Sequence, residues 1–138
     1  MTRYLLDTNH IGEAVNKVSV VRDRIQQLQR QGMIFGTCGP VLCELMVGIV
    51  LRKDATKTQR RLNGLLRVVR VWPVDLAIAN QYAAVYRELR QAGRALSQVD
   101  IMLAAIARQV VATLLTADED FQALPDIQTE NWLVKKVG

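Results

Sequence analysis

The chain has a single histidine, His10, so a histidine-based catalytic triad or an imidazole general base has little to be built from. Its two cysteines, Cys38 and Cys43, are five positions apart and lack the C-x-x-C spacing of a redox or zinc centre. With no export signal beside them they are expected to stay reduced and to act as small core residues. Long hydrophobic runs are missing as well. The stretch Tyr4-Leu5-Leu6 meets Asp7 after three residues, too soon for the core of a signal peptide. The longest apolar region, Val41 to Leu51, is interrupted by Glu44 and is too short to span a bilayer. These absences predict a cytoplasmic protein with no membrane segment. There is no Pro/Gly/Ser-rich linker, internal repeat or low-complexity tract, and Pro40, Pro73 and Pro125 all fall at plausible element boundaries. The 138 residues are therefore expected to form one domain, large enough to bury a core without disulfides or a structural metal.

Short apolar runs alternate with longer helical patterns. Residues 4–6, 34–37, 68–72 and 112–115 read as brief buried strands. Between them, roughly 18–31, 40–51, 56–66, 76–91 and 97–109 carry helix-compatible spacing. Strands alternating with helices predict an α/β fold with a parallel sheet covered on both faces. In such sheets the ligand site lies outside the carboxyl ends of the strands.

Four acids stand out because each is isolated in an apolar stretch. Asp7 follows the first strand directly and Asp118 follows Leu114-Leu115-Thr116-Ala117, so both fall at strand ends. Glu44 is the only charge between Val41 and Leu51, in a helix apolar nearly all round and therefore expected to be buried. Asp100 is the only charge between Ala95 and Ala107. Each also has a plain structural reading. Asp7 and Asp118 suit turn or helix N-cap positions, and Ser97-Gln98-Val99-Asp100 fits a capping box. Glu44 is the hardest to explain in that way, and Asp120 lies close enough in sequence to Asp118 to assist it.

If the four converge, their repulsion calls for a cation. Two carboxylates about 4 Å apart repel by on the order of 4 kcal/mol at an effective dielectric near 20. An all-oxygen donor set without cysteine or clustered histidine suits Mg2+ or Mn2+ better than zinc or copper. Outside these four acids the chain keeps 18 basic residues against nine acidic ones. An acidic pocket in a basic surface has the polarity of a phosphodiester-hydrolysing enzyme. From Arg52 to Arg70 run Arg52, Lys53, Lys57, Arg60, Arg61, Arg67 and Arg70, against the single acid Asp54. Joined by Arg87 if the next helix packs alongside, this stretch is a candidate phosphate-contacting face. His10 reads as a helix-start residue that could touch substrate, Trp72 and Trp132 as packing residues ahead of base-stacking ones, and Phe121 as core.

In these residues the chain resembles the PIN domain family, and within it the toxins of VapBC-type bacterial toxin–antitoxin pairs. Leu5-Leu6-Asp7-Thr8-Asn9 resembles the family's opening strand and first acid, and Glu44-Leu45-Met46-Val47-Gly48 its E-L-x-x-G helix. Asp100-Ile101-Met102-Leu103-Ala104-Ala105 resembles its third acid, and Thr116-Ala117-Asp118-Glu119-Asp120-Phe121 its T-x-D-x-D-F strand end. The resemblance implies a Rossmann-like parallel sheet, Mg2+ or Mn2+ at Asp7, Glu44, Asp100 and Asp118, and cleavage of RNA to a 3′-hydroxyl and a 5′-phosphate. It makes Asp7 and Asp100 the surest metal ligands and gives Asn9 and Thr116 the task of orienting acids or water. It also implies a small antitoxin partner and a homodimer. The helix bearing Glu44 departs from many relatives by opening with Cys38-Gly39-Pro40 rather than Ser or Thr. Two alternatives are a catalytically idle RNA-binding module of the same fold, and another Mg2+-dependent phosphotransfer enzyme with Asp7 as nucleophile. Against the second, Asn9 stands where a D-x-D phosphatase has its second acid.

Overall fold

A computed structural model describes residues 2–133. Strand β1 (Arg3–Leu6) leads into helix α1 (Thr8–Ala14) and then α2 (Val20–Arg30). Strand β2 (Ile34–Cys38) is followed by α3 (Gly39–Val50) and α4 (Ala55–Leu65), and β3 (Val69–Trp72) by α5 (Leu76–Gln91) and α6 (Gln98–Val110). Strand β4 (Thr113–Leu115), a 3-10 turn at Glu119–Ala123 and the two-residue β5 (Thr129–Glu130) complete the order. The helix over 76–91 has the expected bounds, and the other four expected helices shift by one or two residues at their ends. Helix α1, the 3-10 turn and β5 are additional to the expected elements.

The sheet is parallel throughout, in the order β3-β2-β1-β4-β5. From β1 the chain steps outward to β2 and β3, then returns to the other side of β1 for β4 and β5. The order therefore reverses between β1 and β4, the position where open α/β sheets leave a crevice at their carboxyl ends. Leu5, Leu6, Leu114 and Leu115 are fully buried, as expected of central strands covered on both faces. Helix α6 presses Leu103, Ala104, Ala105 and Ile106 into the core, and the small side chains of the two alanines let the helix lie close to β1 and β4.

Local sequence explains the helix starts. Asp7, Ser19, Asp75 and Ser97 are N-caps whose side chains accept the backbone N–H three residues on. Helix α3 lacks a side-chain cap and opens with Pro40 in its first turn, a position where the missing N–H costs nothing. The apolar composition of α3 does not bury it on every side. Val41, Leu45 and Ile49, four apart, face the core, while Val47 and Val50 on the other side are more than 60% exposed. Cys43 shares that outer side and is exposed, so only Cys38 fills the core role expected of both cysteines.

Candidate active site

Asp7 sits at the turn from β1 into α1, and its backbone N–H donates to Leu115 O of β4 at 3.2 Å, which fastens it to the reversal point of the sheet. Asp7 is the buried member of the four acids, with the residue 7% exposed. Oδ1 accepts the His10 backbone N–H at 2.8 Å and lies 2.9 Å from Nδ1 of the His10 imidazole. The N-cap reading of Asp7 thus holds, and a cap uses one carboxylate oxygen only.

Glu44 projects from α3 on an exposed position, contrary to its expected burial. It lies one residue before the inward-facing Leu45, which turns it toward α1 and not the core. There the Thr8 hydroxyl donates to Glu44 Oε1 at 2.6 Å. Asp100 lies in the first turn of α6, half-buried, with its backbone N–H donating to Ser97 Oγ at 3.1 Å. Asp118 follows β4 and caps the 3-10 turn: Oδ1 accepts the Asp120 N–H at 2.9 Å, and the Asp118 N–H donates to Thr116 Oγ1 at 3.1 Å.

The electrostatics of Asp100 tie these positions together. Burial raises its carboxyl above the usual aspartate value, a hydrogen bond with Ser97 partly offsets this, and the charges of Asp118, Asp7 and Glu44 each raise it further. Asp118, Asp7 and Glu44, from three other chain segments, therefore lie within electrostatic reach of Asp100. Among the described residues, no three Asp, Glu, His or Cys side chains stand close enough together to enclose a metal ion by themselves.

The neighbouring polar residues differ in what they touch. Buried Thr116 holds the backbone of Asp118. Asp120 Oδ1 is 3.8 Å from Arg94 Nη1, with both side chains more than half exposed, a separation and setting that add little stability. Asn9 is exposed and lines, with Thr8, Gly12, Glu44 and Gly48, a groove of about 350 Å³ between α1 and α3 that ends at Arg52. A second concavity of about 420 Å³, lined by Pro40, Val74, Ala79, Tyr82, Val99 and Met102, contains none of the four acids. Its apolar walls offer no charge to a phosphodiester, so the acids mark the better site.

Part of the basic stretch has structural work. Arg52 Nε donates to Asp54 Oδ1 at 2.8 Å, and Arg61 Nε donates to Val15 O at 2.6 Å, fastening α4 to the end of α1. Helix α5, which carries Arg87, packs against α6. Lys53, Lys57, Arg60, Arg67 and Arg70 are the exposed remainder available to a polyanion.

Two residues of the site are not visible to sequence reasoning. Thr8 bonds Glu44 across 36 positions, a relation no local pattern carries. His10 reads in sequence as a helix-start residue that could touch substrate, yet it is fully buried beside Asp7. A lone polar ring three residues after a candidate N-cap, next to the apolar Ile11, is the one signal available.

The model of the PIN domain family matches residues 4–127. Ribonuclease VapC2 of Rickettsia felis is 27% identical over 130 residues, covering 94% of this chain and 97% of that protein. The tRNA(fMet)-specific endonuclease VapC of Shigella flexneri is 27% identical over 134 residues, covering 96% and 99%. The crystal structure of VapBC2 from Rickettsia felis bound to a DNA fragment from its promoter superposes with a TM-score of 0.83 at 26% identity, covering 95% of this chain and 99% of that one. With a parallel sheet of this order and a family match over residues 4–127, the chain belongs to the PIN domain family.

Proposed function

We propose that this chain is a Mg2+- or Mn2+-dependent endoribonuclease that hydrolyses RNA phosphodiester bonds, and that it is the toxin of a type II toxin–antitoxin pair held inactive by a small antitoxin. The observation that carries the catalytic reading is the field at Asp100, which Asp118, Asp7 and Glu44 all make more negative. The names of the relatives, a ribonuclease and a tRNA endonuclease, support the substrate class, and the VapBC complex among the similar structures supports the antitoxin partner.

The donor set fits a hard divalent ion. All the candidate ligands are carboxylate oxygens, and Mg2+ commonly keeps several waters while taking only one or two protein carboxylates. A set of acids that share a field without closing into a three-ligand cage meets that requirement. Asp7 and Asp100 are the proposed principal ligands, with Glu44 and Asp118 completing the charge. When bound, the ion supplies the positive charge that offsets the repulsion among the acids and draws a phosphoryl oxygen to the site. The residues of the chain do the remainder. Thr8 orients Glu44, Thr116 and the Asp120 N–H set the backbone and carboxylate of Asp118, and Ser97 places Asp100 at the start of α6. Exposed Lys53, Lys57, Arg60, Arg67 and Arg70 hold the RNA backbone electrostatically. Among the described residues no helix is long and apolar enough to cross a membrane, and we place the enzyme in the cytoplasm, acting as a homodimer.

The test is cleavage of RNA by the purified chain with Mg2+ or Mn2+, against EDTA and against Asp7→Asn and Asp100→Asn variants whose folds are checked by circular dichroism. Cleavage lost in all three supports the assignment. Full cleavage by both variants sinks it, and tight, salt-dependent binding without cleavage identifies an idle RNA-binding module instead.

A further inference from the structure

The only histidine of the chain is fully buried, and both of its ring nitrogens are engaged. Nε2 lies 2.9 Å from the backbone nitrogen of Trp132, which can only donate, so Nε2 is the accepting nitrogen. The ring proton therefore sits on Nδ1, which donates to Asp7 Oδ1 at 2.9 Å. Oδ1 receives the His10 backbone N–H as well, at 2.8 Å. Both donors to Asp7 among the described residues fall on Oδ1, which leaves the lone pairs of Oδ2 for another partner.

The far end of this relay is itself anchored. The Trp132 ring packs against Tyr4 and Phe35 with centroid separations of 5.2 and 5.9 Å, and the Arg24 guanidinium lies 4.0 Å over its centroid. Its Nε1 donates to Glu130 Oε1 at 3.0 Å. The backbone N–H that fixes the imidazole thus belongs to a residue held by α2, β1, β2 and β5.

We infer that His10 is a positioning residue: held in the Nδ1–H tautomer by the Trp132 backbone, it orients Asp7 through its Nδ1–H so that Oδ2 is presented to the divalent ion. This inference rests on the proposed metal role of Asp7. The relay operates without the ring exchanging a proton or touching RNA.

Two substitutions separate positioning from simple packing. His10→Asn places an amide near the Nδ1 position and keeps the donor to Asp7, while His10→Gln reaches the Nε2 position and keeps the partner of Trp132. Both leave one buried group short of a bond. Mn2+ affinity, measured calorimetrically on the full chain without RNA, is expected to remain near wild type for H10N and to fall about 10- to 100-fold for H10Q, the usual cost of losing a partner that orients a metal ligand. Equal losses, or the reverse order, overturn the inference. The 15N spectrum of the sole imidazole gives a readout that depends on neither metal nor variant: wild type is expected to show a protonated Nδ1 and an unprotonated Nε2, and the opposite tautomer overturns the relay. Asp7→Asn is the control. If it binds Mn2+ as wild type does, the metal reading of Asp7 has failed and the inference falls with it. If it loses Mn2+ while H10Q binds normally, only the positioning role is overturned.

Discussion

The hydroxyl of Thr8, the first residue of α1, donates to Glu44 Oε1 of α3 at 2.6 Å and is the contact that fixes the direction of an otherwise exposed carboxylate. A hydrogen bond at this exposed position contributes on the order of 1 kcal/mol to folding, so its weight lies in orientation. Thr8→Val is expected to lower RNA cleavage about 10-fold or more with little change in Tm, and Thr8→Ser to restore it. Paired rate and melting measurements check this; a Thr8→Val enzyme with the wild-type rate removes Thr8 from the site.

Asp100 makes the metal-free fold sensitive to pH in a definite direction. Its carboxyl is raised in the folded chain, first by burial and then by Asp118, Asp7 and Glu44, against the opposing hydrogen bond of Ser97. Between the unfolded aspartate value and that raised value the native chain holds more protons than the unfolded one, so stability falls as pH rises through the window. Asp100→Asn is expected to raise the Tm of the chain in EDTA at neutral pH and to flatten its pH dependence just above the ordinary aspartate range. Adding Mg2+ is expected to raise the Tm of the wild type more than that of the variant. A wild-type Tm in EDTA that climbs steadily across this window contradicts the assigned direction.

Gly36 on β2 has a steric requirement. A Cβ at this position would come within 2.3 Å of the Trp72 ring, which lies against the bare backbone. Gly36→Ala is expected to destabilise the chain by on the order of 1–3 kcal/mol through overpacking, and pairing it with Trp72→Leu is expected to recover part of that loss. Chemical denaturation of the single and double variants measures the coupling, and simple additivity denies the contact.

Val111 ends α6 with φ 55°, the left-handed region, as the only non-glycine residue with positive φ among the described residues. A β-branched side chain is poorly suited to it, and the residue is 83% exposed, so little packing compensates. Val111→Gly is expected to raise stability by about 1 kcal/mol and to leave RNA cleavage unchanged, because the position lies at the opposite end of α6 from Asp100. A lower Tm for the glycine variant rejects the strain.

The elements legible in the sequence are those whose signal is local. The pattern over 76–91 carries a cap at Asp75 and buries Ile78, Val85 and Leu89 at helical spacing, and the central strands are short unbroken apolar runs. Strand β5 has two exposed residues and exists because Leu114 and Leu115 pair with Thr129 and Glu130. Nothing in Thr129-Glu130 announces that pairing. Helix α1 is seven residues long and contains Gly12, so propensity argues against it; the Asp7 cap and the burial of His10, Ile11 and Ala14 hold it in place.

The fold class and the four candidate acids were legible in the chain's local patterns, because alternating apolar runs and isolated charges are properties of neighbouring residues. Those patterns also held the capping of Asp100 by Ser97. Which acid is buried and what holds each one came from the packing of distant elements. Glu44 proved exposed and bound to Thr8, Asp7 proved buried against His10, and Cys43 left the core. Those outcomes depend on which face of α3 meets the sheet and on bonds spanning 36 and 122 positions. Burial and distant hydrogen bonds arise from how elements pack together, which a local pattern limits without choosing among the possibilities.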